Sequence, residues 1–163
     1  MGLDMMVHEV SLFDIKNMSD FCQRVIDRCY PIYNVHNDEM LKIDLENIIN
    51  EDPTFSIPWN LGRELCYWRK HPDLHGWMRN LYYEKGGTGD FNGHSIVLTK
   101  ENVLQLRKDI EKRKLPHTQG FFFGESYIDL DDYKWRDEHD QECIKKMLKA
   151  IDNKSLIYYT SSW

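Results

Sequence analysis

The chain has 163 residues, of which 41% are hydrophobic and 13% aromatic, and its formal net charge is −6. This length favours one domain over residues 1–163, and the apolar content excludes a disordered protein. The acidic balance excludes an open, nonspecific surface for long nucleic acids, which needs a basic face, but it still allows a small enclosed anion pocket.

The first half of the chain alternates between strand and helix signals. Residues 3–10 have the composition of a strand. Ser19 is a suitable N-cap for a helix whose apolar residues recur at helical spacing until Pro31 ends it. A second short helix is predicted over 38–50, and a turn follows at 51–54.

A proline divides the next part of the chain. We predict a third helical region over about 60–70, which His71 and Pro72 interrupt because proline disfavours helical backbone at the residue before it. Since proline is accepted in the first turn of a helix, Pro72 is expected to open a helix that runs to Tyr83. The loop 86–89 lacks the lysine and hydroxyl residue of a phosphate loop.

The second half of the chain predicts two helices and two strands. Residues 95–98 form a short strand, and Thr99 caps a helix over 100–114. A longer helix covers 131–152, and a final strand lies within 155–163. The expected buried face of the longer helix is formed by Trp135, Ile144, Met147, Leu148 and Ile151.

The terminal strands are expected to pair, because each lacks a partner next to it in the sequence. The predicted fold class is therefore α+β, with several helices packed on a small sheet. No apolar run is long enough to span a bilayer, and no secretory segment is visible, so we expect a cytoplasmic protein without a membrane partner. The cysteines form no CxxC pair and are expected to be buried, reduced thiols: Cys22, Cys29, Cys66 and Cys143.

The stretch Tyr67–Trp77 combines three aromatic residues, two fixed cations and two histidines in eleven residues. Flat rings stack on bases and cations hold phosphates, so this composition suits a nucleotide. Tyr67, Trp68 and Arg69 cannot all face inward on one helix, and some of them must therefore face solvent, a cleft or another subunit.

A purely structural interpretation of this stretch stays open. In it, Trp68 and Trp77 belong to the core, and Arg69 forms an ion pair with Glu64 or Asp73.

The spacing of His71 and His75 raises the question of a metal site, because two histidines four apart can share one helical face. Pro72 occupies the place where a metalloprotease has its glutamate, and it disturbs the helix at His71. Glu64 and His94 are possible further ligands, as is His139, but none follows from spacing. We predict no metal and no cofactor.

A second candidate segment is Gly120–Gly124, which encloses three phenylalanines. Its glycines allow backbone amides to approach a ligand closely, and Thr118 and Gln119 add neutral donors beside them. The alternative is a buried aromatic plug with glycine turns. The carboxylates at 129–132 could hold a divalent ion, or they could suit the dipole of a helix N-terminus.

Four motifs together resemble a family of small phage-encoded proteins often labelled phosphoglycerate kinase. They are Met1–Met5, Tyr67–Lys70 with Leu74–Trp77, Leu115-Pro116 with Gly120–Gly124, and Tyr158–Trp163. The chain is far too short for that two-domain kinase and has no nucleotide loop of the expected type. The resemblance implies a role similar to that of phage sponges, which sequester cyclic nucleotide signals of CBASS-type immunity without chemistry, commonly as homo-oligomers in the host cytoplasm.

The leading hypothesis is therefore a binding protein for a nucleotide-like small molecule, and we expect no enzymatic activity. Two alternatives are kept: a metal-dependent hydrolase that uses His71 and His75, and a protein–protein inhibitor of a host enzyme that uses the aromatic face. The predicted ligand-binding residues are Tyr67, Trp68, Arg69, Lys70, His75, Trp77, Thr118, Gln119 and Gly120.

Overall fold

The computed structural model describes residues 2–11, 62–126 and 133–163. The helices predicted around 19–30 and over 38–50, the turn at 51–54 and the carboxylates at 129–132 lie outside these ranges. No helix in the described ranges has the length and apolar character needed to cross a membrane.

The described strands form one antiparallel sheet in the order β2-β1-β4-β3. Their bounds are β1 Asp4–Val10, β2 Arg63–Arg69, β3 Ser95–Val97 and β4 Leu156–Ser162. The first and last strands are central neighbours, with Asp4 opposite Ser162 and Val10 opposite Leu156. The predicted pairing of the terminal strands and the α+β fold class are confirmed.

The helix predicted over 60–70 is wrong, because the described part of this segment is strand β2. Its burial alternates: Cys66 and Trp68 are buried, whereas Tyr67 and Arg69 are exposed. A period of two belongs to a half-buried strand, and in a run this short it is easily mistaken for part of a helical pattern.

The described helices are α1 Pro72–Glu84, α2 Lys100–Glu111 and α3 Tyr133–Asp152. Pro72 opens α1, as predicted. Thr99 caps α2 in a reciprocal capping box with Asn102, which satisfies two backbone N–H groups at the helix start. Helix α2 ends at Glu111, three residues before the predicted end.

The core lies between the helices and one face of the sheet. On that face β1 contributes Met5 and Val7, β2 contributes Cys66 and Trp68, and β4 contributes Tyr159, all of them 4% exposed or less. Both described cysteines are buried and free, as predicted.

Helix α3 packs against α2, β2 and β4. Ile144 and Met147 are buried as predicted, but the prediction for Trp135 is wrong, since this side chain is 68% exposed. Trp135 lies in the first turn of α3 and stacks on His139, one turn further on, instead of entering the core.

Candidate functional site

The stretch Tyr67–Trp77 covers a junction between a strand and a helix. Strand β2 ends at Arg69, Lys70 takes a left-handed backbone conformation with φ of 51°, and His71 is the N-cap of α1. This junction divides the predicted site residues into two groups. The inner group is Trp68, His75, Trp77 and Thr118, and the outer group is Tyr67, Arg69, Lys70, Gln119 and Gly120.

Trp68, in the inner group, is held by a buried carboxylate. Its Nε1 donates to Asp140 Oδ1 at 2.7 Å, and His71 Nε2 lies 2.9 Å from Asp140 Oδ2. Because His71 Nδ1 accepts the backbone N–H of Leu74, Nε2 carries the proton and donates to the carboxylate. Asp140 thus joins β2, α1 and α3, and Trp68 serves the core.

His75 is fully buried, and its Nδ1 lies 3.0 Å from the hydroxyl oxygen of Tyr159. Burial, with a smaller effect of Arg79, lowers the pKa of His75 to about 4. The imidazole is therefore neutral near pH 7. This corrects the role predicted for His75, because a neutral buried ring does not hold a phosphate as a cation.

The other two members of the inner group are also engaged in the structure. Trp77 is half-buried, and its Nε1 donates to Asp109 Oδ2 of α2 at 3.1 Å. Thr118 is buried, its hydroxyl donates to Pro116 O at 2.9 Å, and a Cβ on Gly76 would overlap that hydroxyl. Both residues support packing and present no free donor to a ligand.

The outer group begins with two exposed side chains that share one partner. The Tyr67 hydroxyl donates to Asp4, and Arg69 lies 3.5 Å from the same carboxylate. The structural interpretation proposed Glu64 or Asp73 as the partner of Arg69; both are wrong, because Asp4 stands directly opposite Arg69 on β1. Since Arg69 is well exposed, this ion pair leaves part of its guanidinium open to solvent.

Lys70 is the best-positioned cation of the outer group. Its N–H donates to Leu3 O at 2.9 Å. A Cβ on Gly2 would lie 3.2 Å from Lys70 Cε, and a Cβ on Gly124 would lie 3.7 Å from Lys70 Cβ and Cδ. Two glycines therefore flank the aliphatic stem, and within the described ranges the ammonium makes no ion pair.

The segment after α2 forms a loop, residues 117–126, that one buried carboxylate fixes at both ends. Asp73 Oδ1 accepts the N–H of Thr118 at 2.9 Å, and Oδ2 accepts the hydroxyl of Ser126 at 2.7 Å. Between these anchors, Gly120 and Gly124 form an antiparallel bridge. The first turn of α1 therefore sets the position of the whole loop.

The three phenylalanines of this loop point in different directions. Phe123 is buried, whereas Phe121 is 96% exposed and Phe122 is 36% exposed. The backbone of Leu3 joins the two parts of the site: its carbonyl accepts from Lys70, and its N–H donates to Phe122 O at 3.1 Å. An exposed aromatic tip and a held cation thus lie side by side.

An open depression in the loop surface brings two further members of the outer group together. Gln119 is exposed, and it lines this depression with Gly120 and Gly124. The other lining residues are His117, Phe121, Glu125 and Ser126. A Cβ on Gly124 would lie 3.7 Å from the stem of Lys70, so the depression lies next to this lysine.

The histidines considered as metal ligands are used in other ways. His71 is bonded to Asp140, His75 to Tyr159, and His139 Nε2 to the carbonyl of Tyr67. Across residues 2–11, 62–126 and 133–163, no three His, Cys, Asp or Glu side chains are grouped so that they could hold a metal ion.

Comparisons of the chain with known protein families, with curated proteins and with solved structures found no match. The assignment of function therefore depends on the residues themselves.

The sequence reasoning missed the two carboxylates that organise this region. Asp73 carries a signal that could have been used, because an acid in the first turn of a helix is a ready acceptor for an adjoining loop. Asp140 carries no such signal, since it is one of several acids in a charged helix and only packing selects it.

Proposed function

We propose that this protein binds a nucleotide-like ligand on the outer surface formed by Tyr67, Arg69, Lys70, Gln119 and Gly120, together with the rings of Phe121 and Phe122. The observation that carries the proposal is the double hydrogen bond of Leu3, which holds Lys70 beside Phe122. A nucleotide combines a flat ring with an anionic group, and this surface offers a partner for each.

The cation is suited to an anion because its stem starts from a fixed point of the backbone. The N–H of Lys70 is bonded to Leu3 O, and the side chain is exposed, so a phosphate can reach its ammonium. Arg69, adjacent in sequence, adds a planar fork that favours phosphate oxygens. Asp4 balances part of the charge of Arg69, so Lys70 supplies the uncompensated positive charge of the pair on a chain whose net charge is −6.

The rings supply the second half of the interaction. Stacking of a base on an exposed aromatic ring contributes about 1–3 kcal/mol per base. Phe121 is 96% exposed and meets the ring of Phe122 edge-on at 5.0 Å, so most of its surface is open to a ligand. Such stacking tolerates many bases, so the outer surface by itself selects for nucleotides as a class and does not distinguish one base from another.

The finer proposal is that this is a phage anti-defence protein, a homo-oligomeric sponge that sequesters a cyclic nucleotide immune signal without changing it. Its support is the resemblance of the four sequence motifs to the phage-encoded family. The chemistry of His71 agrees with binding alone, because its imidazole is buried and both of its ring nitrogens are already hydrogen-bonded.

Calorimetry with a panel of cyclic di- and trinucleotides tests both levels of the proposal. We expect heat of binding from at least one of them, about tenfold weaker binding by Lys70→Ala, and recovery of the bound nucleotide intact after denaturation. Lys112→Ala is the matched control, since Lys112 is an exposed lysine outside the site. If folded wild-type protein gives no heat with any nucleotide, the proposal is wrong.

The same surface also favours a second function, inhibition of a host enzyme by protein–protein contact. Phe121 exposes nearly its whole ring at a loop tip, and buried aromatic anchors dominate many interfaces. Phe121→Ser would abolish capture of a specific host protein in a pull-down, while Lys112→Ala would not. Capture of no protein by the wild type, together with nucleotide binding, would decide for the sponge.

A further inference from the structure

Behind the outer surface lies a box of aromatic rings around His75. Phe91 stacks on the imidazole with ring centroids 5.6 Å apart, Trp163 meets it edge-on at 4.8 Å, and Phe123 lies at 4.9 Å. Tyr159 closes the remaining side through its bond to Nδ1. The box is therefore lined by flat rings with one polar group at its centre.

The second nitrogen of His75 is the unexplained feature of this box. Nε2 is fully buried, and no residue in the described ranges offers it a hydrogen-bond partner. A buried polar atom left without a partner costs about 1–3 kcal/mol, so such atoms are rare unless a ligand or water meets them. Whichever ring nitrogen carries the proton, Nε2 can still donate or accept one more bond.

The side of the box nearest the outer surface is closed by Phe123. This residue belongs to the bridged turn between Gly120 and Gly124, and a Cβ on Gly120 would lie 2.6 Å from its ring. Phe123 is 9% exposed, so it lies at the edge of the core. A Cβ on Gly124, the next residue along the chain, would lie 3.7 Å from the stem of Lys70.

We propose that this box is a ligand subsite in which a six-membered nitrogen heterocycle replaces the ring of Phe123 and bonds to His75 Nε2. Phe123 itself shows that a ring of this size fits against His75 and Trp163. A ring edge with both a carbonyl and an N–H, as in a pyrimidine base, satisfies Nε2 in either tautomer.

This subsite rests on the proposed function and adds selectivity to it. The exposed rings accept any base, whereas a buried hydrogen bond discriminates against rings that lack the matching group. A base in the box would leave its phosphate on the side of Lys70, because Phe123 closes the box and a Cβ on the next residue, Gly124, would lie 3.7 Å from the lysine stem. The ligand class is thus narrowed to nucleotides with a pyrimidine-type ring.

The wild-type protein is tested with uridine 5′-monophosphate, and ribose 5-phosphate is the probe that lacks the ring. With 4-fluorophenylalanine placed at position 123, we expect uridine 5′-monophosphate to shift the fluorine resonance and ribose 5-phosphate to leave it unchanged. His75→Phe would weaken binding of the nucleotide by about tenfold without affecting ribose 5-phosphate. Binding of the nucleotide with an unmoved fluorine signal would overturn the subsite while leaving the proposed function intact.

A second experiment tests the subsite independently of nucleotide binding, so it remains informative even if the proposed function is wrong. Phe123→Ala empties a ring-sized cavity beside His75, and such apolar cavities bind small rings. We expect 4-pyrimidinone to raise the melting temperature of Phe123→Ala more than benzene does, and this preference to vanish in the double variant with His75→Phe. Equal stabilisation by the two rings, or stabilisation by neither, would overturn the subsite.

Discussion

The inner and outer groups come from one short stretch of chain, yet they differ in how their polar atoms are used. In the inner group, Trp68 donates to a carboxylate that is 4% exposed, and His71 donates to the same carboxylate. In the outer group, the backbone of Lys70 is held by Leu3, but its ammonium makes no ion pair within the described residues. Trp68 has its bond already made, and Lys70 holds a charge ready for a partner.

This difference separates the determinants of folding from those of binding, except at His75, whose Nε2 is also proposed to bond to a ligand. Changes to the inner group remove bonds made within the folded chain, so they lower the free energy of unfolding. Changes to the outer group remove a charge or a ring that the fold does not need, so they affect affinity. Four predictions test this division, in order of decreasing effect on stability.

Asp140→Ala is expected to cause the largest loss of stability. It leaves two buried donors, Trp68 Nε1 and His71 Nε2, without an acceptor, which lowers the free energy of unfolding by about 4 kcal/mol. Urea denaturation measures the change. Asp152→Ala is the control, because its ion pair with Lys100 is exposed and is expected to contribute little. Similar losses in the two variants would contradict the distinction.

The second largest effect is a loss of stability at low pH, which is caused by His75. Its pKa in the folded protein is about 4, below the ordinary value of 6.5, so the unfolded chain takes up the proton first as the pH falls. The stabilisation is fully present above pH 6.5 and is lost as the pH falls towards 4, a total of about 3 kcal/mol. Unfolding curves between pH 7 and pH 4 measure it.

His75→Phe isolates this contribution from the carboxylates that titrate in the same range. The difference in unfolding free energy between wild type and variant should change by about 3 kcal/mol across that interval. A constant difference would show that His75 is not the group responsible.

Asp73→Ala is expected to lower stability by an intermediate amount and also to lower nucleotide affinity. It removes the acceptor for the N–H of Thr118 and the hydroxyl of Ser126, which lowers the free energy of unfolding by about 2 kcal/mol. Because the loop loses both anchors, nucleotide affinity should fall as well. Amide hydrogen exchange over 117–126 checks this, and unchanged protection of the loop would argue against the anchor.

Substitutions of Lys70 are expected to have the smallest effect on stability. The variant that stabilises the fold is nevertheless expected to bind nucleotide more weakly. Lys70→Gly removes the cost of a left-handed backbone at φ of 51° and should stabilise the fold by about 1 kcal/mol, whereas Lys70→Ala should not. Both should bind nucleotide about tenfold more weakly. A loss of affinity in Lys70→Ala alone would show that the backbone, not the charge, matters.

Much of the fold could be predicted from local patterns. Helix α1 begins at Pro72 and helix α2 begins directly after Thr99, as predicted. A fixed φ and a capping hydroxyl act on the backbone next to them, so their effect can be predicted from local sequence. The error over 60–70 arose because a seven-residue strand is too short for its period to be distinguished from half of a helical pattern.

The site was predictable in composition but not in arrangement. Arg69 and Lys70 were identified because their charge is independent of the fold. Their separation from Trp68 was not predicted, because it depends on the alternation of a strand that the sequence reasoning read as a helix. The position of Trp135 was missed for a related reason, since helical spacing shows which face a residue shares but not whether a neighbour covers that part of the helix.

Hydrophobic pattern, caps and composition are enough to predict the fold class, the pairing of the terminal strands and the region in which cations and rings are concentrated. Which of those side chains are engaged and which are open depends on tertiary packing. Asp140 became the acceptor of two buried donors through packing of α3 on β2, and Lys70 came to lie beside Phe122 through the backbone of Leu3. Both contacts join residues distant in the chain, and no local pattern specifies such contacts.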